Sequence, residues 1–158
     1  MNSPAKAALA ARFVAAPHVS APEKAEQQLT EWLTGLATEQ AAAIVDLIGR
    51  FPVAKTILSG IAEASPYLFD LVRADGARLL RVLECEPERY LPHLIEKARG
   101  EGVQASAESD LMRLLRRMKS EAALLIALCD IGGVWPVMQV TAALTDLAVS
   151  SVQSATWR

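Results

Sequence analysis

The 158-residue chain is long enough for one domain that buries about two thirds of the surface exposed by its unfolded form. Hydrophobic residues make up 52 % of it and aromatic residues only 5 %, with much alanine and leucine, which is typical of packed helices. A net charge of −2 gives no reason to expect a nucleic-acid partner, which requires a clustered basic surface. Because the most apolar run, Ala122 to Cys129, is far shorter than the ~20 residues of a membrane span and no signal peptide is visible, we expect a cytoplasmic protein without a membrane partner.

The first part of the chain differs from the rest in the placement of its prolines. Residues 1–22 hold three prolines around an alanine-rich piece, and they are predicted to form either a flexible N-terminal arm or a short, poorly anchored helix. Residues 23–158 are predicted to form a helical domain, because prolines and glycines divide them into helix-sized pieces. No run alternates polar and apolar residues at period two. We therefore predict an all-α fold, with a bundle of short helices followed by a long antiparallel helical hairpin.

The short helices are recognised by apolar stripes and by capping residues. Six are predicted, beginning near Glu23, Glu39, Pro52, Pro66, Asp75 and Pro87. Proline suits the first helical turn, where its missing N–H costs nothing, and Ser65 is predicted to cap the helix that follows it. The last of the six is expected to close at Gly100-Glu101-Gly102. Pro92 lies inside it, so this helix is expected to kink or to start later than Pro87.

Two longer helices complete the pattern, over about 106–131 and about 136–158, with Ser106 or Ser109 as the cap of the first. The turn between them contains Gly132-Gly133 and Pro136. The apolar stripe of the first helix consists of Leu111, Leu115, Met118, Ala122, Leu125, Ile126 and Cys129. The stripe predicted for the second consists of Val137, Val140, Leu144, Leu147, Ala148 and Val152.

Few residues are candidates for chemistry. The two histidines, His18 and His93, lack the neighbours of a metal site such as CxxC or HExxH. Cys85 with His93 could be drawn as a nucleophile and its base, but no feature of the spacing marks it out. Cys85 and Cys129 fit better as small buried thiols, with a disulfide left open. We name no catalytic, cofactor-binding or metal-binding residue.

Two charge clusters remain. Glu84, Glu86 and Glu88 could bind Mg²⁺ or act as acid and base, but a solvated turn at a helix N-terminus explains them more simply. The basic run consists of Arg113, Arg116, Arg117 and Lys119. It is either the polar side of its helix, with Arg117 and Glu121 spaced to pair, or a contact with another domain or an acidic partner.

Two segments carry a resemblance to a known family. They are Ser65-Pro66-Tyr67-Leu68 and the arginine-rich stretch Leu111 to Lys119, which is followed by an apolar helix, a glycine turn and a second helix. In this order they resemble the N-terminal region of bacterial glutamine synthetase adenylyltransferase, a bifunctional enzyme that also removes the AMP group. The resemblance covers residues 50–158.

The resemblance implies a large cytoplasmic enzyme with two nucleotidyltransferase domains. One removes AMP from a tyrosine of glutamine synthetase by phosphorolysis, and the other attaches AMP from ATP. Both use Mg²⁺ held by an Asp-x-Asp pair, and PII-type regulators control them. Because this sequence contains no Asp-x-Asp and stops at Arg158, before that motif would appear, no catalytic residue of the family is carried over.

We therefore expect a non-catalytic helical segment that supports the AMP-removing domain expected to follow it, in the regulation of nitrogen assimilation. The last helix is expected to expose an apolar face where that domain docks, with some self-association of the chain alone. The main alternative is a stand-alone helical interaction or adaptor module. A small ligand-binding bundle with a closed apolar pocket, or an unrecognised enzyme, is also left open.

Overall fold

The computed structural model describes the backbone of residues 7–156 and the side chains of residues 7–153. Within that range the chain forms nine α-helices and no strand, which confirms the all-α prediction. The helices are α1 (Leu9–Arg12), α2 (Pro22–Thr34), α3 (Thr38–Arg50), α4 (Pro52–Ala64), α5 (Pro66–Ala74), α6 (Gly76–Glu84), α7 (Pro87–Gln104), α8 (Glu108–Ile131) and α9 (Val137–Thr156).

Most helix starts follow from local chemistry. Proline occupies the first turn of α2, α4, α5 and α7, where the missing N–H is tolerated. The Ser65 hydroxyl accepts a hydrogen bond from the Leu68 N–H at 3.3 Å, which confirms the predicted cap of α5. Asp75 caps α6 in the same way, accepting from the Arg78 N–H at 3.0 Å.

Two helix ends differ from the sequence prediction. Helix α7 starts at Pro87, which confirms the predicted start over the later one, but it continues past the glycines of 100–102 to Gln104, so the predicted end was wrong. Pro92 lies only in the second turn, so helical hydrogen bonds on its C-terminal side can still hold the segment together. The predicted serine cap of α8 was also wrong, because Ala107 occupies the N-cap without a side-chain bond. Two acidic side chains in the first turn favour this N-terminus instead.

Helix α8 is the centre of the core. It contacts α5, α6, α7 and α9, and every residue of its predicted stripe is buried. Helix α9 follows it after the glycine turn, and the exposed apolar face expected of the last helix is confirmed. Of the predicted residues, Leu147 is buried and Val140 is half-buried, whereas the other four are exposed. The helix instead packs inward with small residues, including Ala143, Ser150 and Ser151. Because α9 is apolar around most of its circumference, apolar spacing alone does not identify the buried face.

Residues 7–21, here called the N-terminal segment, contain the short helix α1. The predicted poor anchoring was wrong, because Leu9 and Phe13 are part of the hydrophobic core. The Leu9 N–H donates to the Cys85 carbonyl at 2.8 Å, and the N–H groups of Val14 and Ala15 both donate to the carbonyl of Gly132. Backbone hydrogen bonds therefore tie this segment to the end of α6 and to the turn between α8 and α9.

Glycines allow the N-terminal segment to lie close to the bundle. A Cβ atom on Gly132 would lie 2.2 Å from Cδ1 of Phe13, and one on Gly60 of α4 would lie 2.2 Å from Cγ of Pro17. Farther along, the Glu63 carboxylate accepts hydrogen bonds from two backbone N–H groups, those of Ser20 and Ala21. The segment is thus held at several points along its length.

Candidate functional site

The thiols and histidines do not form a nucleophilic site. Cys85 is half-buried and its thiol donates a hydrogen bond to the Val82 carbonyl at 3.1 Å. Burial raises the pKa of Cys85 to about 12 and also raises the pKa of the fully buried Cys129. Thiols of this kind stay protonated at neutral pH, the opposite of what a nucleophile needs. Both cysteines are free, which settles the open disulfide, and both His18 and His93 are exposed.

The acidic cluster has a structural role that the sequence did not reveal. Two nitrogens of the Arg12 guanidinium donate to the two carboxylate oxygens of Glu88, at 2.7 and 2.6 Å, and the Trp135 indole N–H donates to one of them at 3.2 Å. Hydrogen bonding to Arg12 is the main reason that the pKa of Glu88 falls to about 2. Glu88 thus joins α1, α7 and the turn before α9, whereas Glu84 is exposed.

The carboxylates do not gather into a metal centre. Across the part of the chain that the structure describes, no three side chains of His, Cys, Asp or Glu are placed to hold a metal ion together. These residues therefore do not fit the Mg²⁺ that the resemblance implies for a longer enzyme.

The basic run lies on the outer surface of α8. Arg113 lies 3.9 Å from Asp110, and Arg116, Arg117 and Lys119 are all exposed. The spacing of Arg117 and Glu121 does not produce the expected pair. Glu121 instead accepts from Arg81 of α6, with N···O distances of 2.9 and 2.7 Å. A contact of the basic run with another domain or an acidic partner stays a prediction.

A charged cleft of about 280 Å³ lies between α6, α7 and α8. Its cations are Arg78, Arg81, Lys97 and Arg117, and its carboxylates are Asp75, Glu101 and Glu121. Arg78 is only 8 % exposed, which is rare for an arginine. Sequence reasoning missed this residue, because an arginine on a short amphipathic helix is normally assigned to the solvent side.

The exposed side of α9 carries five of the eleven large hydrophobic residues that are exposed in the described part of the chain. Val137, Met138, Leu144, Val149 and Val152 are between 49 % and 80 % exposed. At 100° per residue they lie within about 160° of the helix circumference, together with Ala142, Ala148, Thr141 and Thr145. We call these nine residues the α9 apolar face. The only charged residue of the helix, Asp146, lies outside it.

The two threonines do not make this face polar. The Thr141 hydroxyl donates to the Val137 carbonyl and the Thr145 hydroxyl to the Thr141 carbonyl, each at 3.0 Å. Because both hydroxyls are satisfied within the helix, a protein surface could cover them without leaving a donor unpaired. A contiguous exposed apolar patch of this kind marks an interaction site more often than a free surface.

No described helix combines the length and apolar character that crossing a lipid bilayer requires. Within residues 7–156 the structure therefore defines a class: an all-α domain with a buried arginine in a charged cleft and a broad apolar helix face in solvent.

The chain belongs to the glutamate-ammonia ligase adenylyltransferase family, whose family model matches residues 55–157. It is 60 % identical over 147 residues to a bifunctional glutamine synthetase adenylyltransferase/adenylyl-removing enzyme of Bradyrhizobium sp. BTAi1, covering 93 % of this chain and 15 % of that protein. A protein of the same description from Rhodopseudomonas palustris strain BisB5 is 56 % identical over 146 residues, covering 92 % of this chain and 15 % of the relative.

The same description applies to a more distant relative from Xanthobacter autotrophicus, which is 44 % identical over 140 residues, covering 89 % of this chain and 14 % of the relative. The chain thus spans about 15 % of the length of the curated relatives that it matches. No solved structure matches it. The family relation predicted from two short segments is confirmed, and similarity extends well beyond them.

Proposed function

We propose that this chain is a non-catalytic helical part of a bifunctional glutamine synthetase adenylyltransferase/adenylyl-removing enzyme, and that it supports the nucleotidyltransferase domain that removes AMP. Family membership and the large share of each relative outside the matched region support this proposal. The observation that carries it is the α9 apolar face, which lies inside the family match and is exposed in this structure.

The composition of the α9 apolar face is suited to a stable interface with another domain of the same polypeptide. Covering it desolvates no charge, and each large apolar side chain contributes about 1.5–3 kcal/mol when fully buried. Because about 85 % of each relative lies outside the matched region, by difference from the 15 % that is covered, a neighbouring domain is available in the same chain. We propose the AMP-removing domain as that neighbour.

The remaining properties belong to the longer enzyme. Glutamine synthetase would be its substrate, Mg²⁺ and ATP would serve its nucleotidyltransferase domains, PII-type proteins would regulate it, and it would work in the cytoplasm. This segment would supply shape and contact surface to that enzyme. The buried, high-pKa thiols agree with such a role, since they are not poised for covalent chemistry.

An activity measurement on the full-length enzyme that carries this segment tests the proposal. Leu144→Asp places a charge on the α9 apolar face and is expected to lower phosphorolytic removal of AMP by at least about tenfold, because it opposes docking. Gln139→Asp introduces the same charge on another side of the helix and is the matched control. Equal activity of both variants and the unmodified enzyme would contradict the docking role. Phosphorolysis by the 158-residue chain alone would contradict the non-catalytic role.

A stand-alone adaptor remains the second candidate, because the same apolar face could bind a separate protein. The gene beyond codon 158 separates the two. An Asp-x-Asp-containing domain downstream supports the enzyme segment, and a stop codon supports the adaptor.

A further inference from the structure

The charged cleft between α6, α7 and α8 contains a cation without a visible counter-ion. Arg78 is only 8 % exposed as a residue, and its guanidinium forms no hydrogen bond or ion pair with any described residue, so its nitrogens open onto the solvent of the cleft. Only its backbone N–H is engaged, by the Asp75 cap. Withdrawing most of an arginine from water without a partner carboxylate is costly, so a guanidinium in this position normally faces an anion.

The carboxylates of the cleft are largely committed to other groups. Glu121 is paired with Arg81, at 2.7 Å. Asp75 caps α6 through one oxygen and lies 3.9 Å from Arg81 through the other. Glu101 on α7 is the remaining carboxylate and lies at an exposed position. None of the described carboxylates therefore forms an ion pair with Arg78.

Further cations converge on the same cleft from the other two helices. Lys97 comes from α7 and Arg117 from α8, and neither forms an ion pair within the described part of the chain. Three helices thus each contribute a positive group to one cavity of about 280 Å³, which has room for a small anion. A guanidinium offers a planar pair of N–H donors that matches the oxygens of a phosphate or a carboxylate.

We propose that this cleft binds an oxyanion, either a phosphate or a carboxylate group of a small molecule, with Arg78 as the buried anchor and Lys97 and Arg117 at the rim. The proposal goes beyond the docking role and does not depend on it. The α9 apolar face has no part in it.

Calorimetric titration of the 158-residue chain with inorganic phosphate, and separately with succinate, tests this site at constant ionic strength. We expect saturable binding of one anion per chain for phosphate, for succinate or for both. The anion that binds more tightly identifies the preferred group. Arg78→Gln should weaken that binding by at least about tenfold. Arg117→Gln should weaken it several-fold. Arg116→Gln removes the same charge from the neighbouring position, outside the cleft, and should leave binding unchanged.

Two results would overturn the proposal. One is the absence of saturable binding in both the phosphate and the succinate titration. The other is an equal loss in Arg117→Gln and Arg116→Gln, which would indicate general charge attraction instead of a site. Thermal unfolding followed by circular dichroism shows whether Arg78→Gln still folds. If it does not fold, the comparison of Arg117→Gln with Arg116→Gln decides the question alone.

Discussion

Arg12 and Glu88, 76 residues apart in sequence, form a two-point ion pair that fixes the N-terminal segment to helix α7. Both side chains are about one-fifth exposed, so water screens the pair less than a surface salt bridge. The Trp135 indole N–H adds a third hydrogen bond to the same carboxylate.

Loss of the Arg12–Glu88 pair should destabilise the fold. Arg12→Ala is expected to lower the free energy of unfolding by about 1–3 kcal/mol, because it removes both guanidinium donors from a half-buried carboxylate. Arg113→Ala is the control, since Arg113 lies 3.9 Å from an exposed Asp110, and its effect should stay within about 0.5 kcal/mol. Urea denaturation measures the free energy of unfolding of both variants. Equal losses would show that the Arg12–Glu88 pair stabilises the fold no more than an exposed ion pair does.

The same pair predicts a pH dependence. The pKa of Glu88 is about 2 in the folded protein, below the value of about 4.3 usual for an unfolded glutamate. Its stabilising effect is therefore fully present above pH ~4.3 and is lost as the pH falls toward 2. Glu88→Gln should flatten the decline of unfolding free energy over this range. A decline of unchanged steepness in the variant would assign the acid sensitivity to other groups.

The contact of Gly60 with Pro17 gives a second stability prediction. Alanine is normally favoured over glycine inside a helix by about 1 kcal/mol. At Gly60 the added Cβ would lie 2.2 Å from the Pro17 ring, so Gly60→Ala should instead destabilise the protein by about 1–3 kcal/mol. Gly100→Ala is the matched control, because a Cβ there meets no atom within 4 Å, and it should be neutral or stabilising. The same stabilisation at both positions, seen in thermal melts, would mean that the N-terminal segment does not lie on α4.

The α9 apolar face should cause the isolated chain to self-associate. Met138→Asp places a charge at its most exposed position, and we expect the dissociation constant of the self-associated form to rise at least about tenfold. Gln139→Asp, one residue further along and outside the face, should leave association unchanged. Sedimentation velocity over a range of concentrations measures this. An unmodified chain that stays monomeric throughout would contradict the prediction.

Local signals account for the parts of the fold that the sequence predicted well. Ser65 and Asp75 are followed by helices, and the leucines of α8 recur at the spacing of a single buried stripe. In contrast, α9 is apolar on most sides, so the choice of its buried face depends on the small residues that fit the bundle. Packing against the bundle therefore determines which face of α9 is buried, and the apolar spacing does not predict it.

Long-range pairs account for most of what the sequence did not predict. Nothing near Arg12 indicates that it meets Glu88, and nothing near Gly60 indicates that Pro17 lies on it. The burial of Arg78 also depends on three helices meeting, so neither the amphipathic pattern of α6 nor a charge count identifies the cleft. Candidate sites of this kind become visible only when the tertiary contacts are known.

The anchoring of the N-terminal segment bears on how this protein is divided for experiments. The family match begins at residue 55, and a shortened version cut there would lose Leu9 and Phe13 from the core and Arg12 from Glu88. The Gly132 carbonyl would lose the two N–H groups that it accepts from, next to the turn from which α9 departs. Helix α9 would then follow a turn that has lost two backbone hydrogen bonds, so a boundary taken from the family match alone would alter the surface that α9 presents.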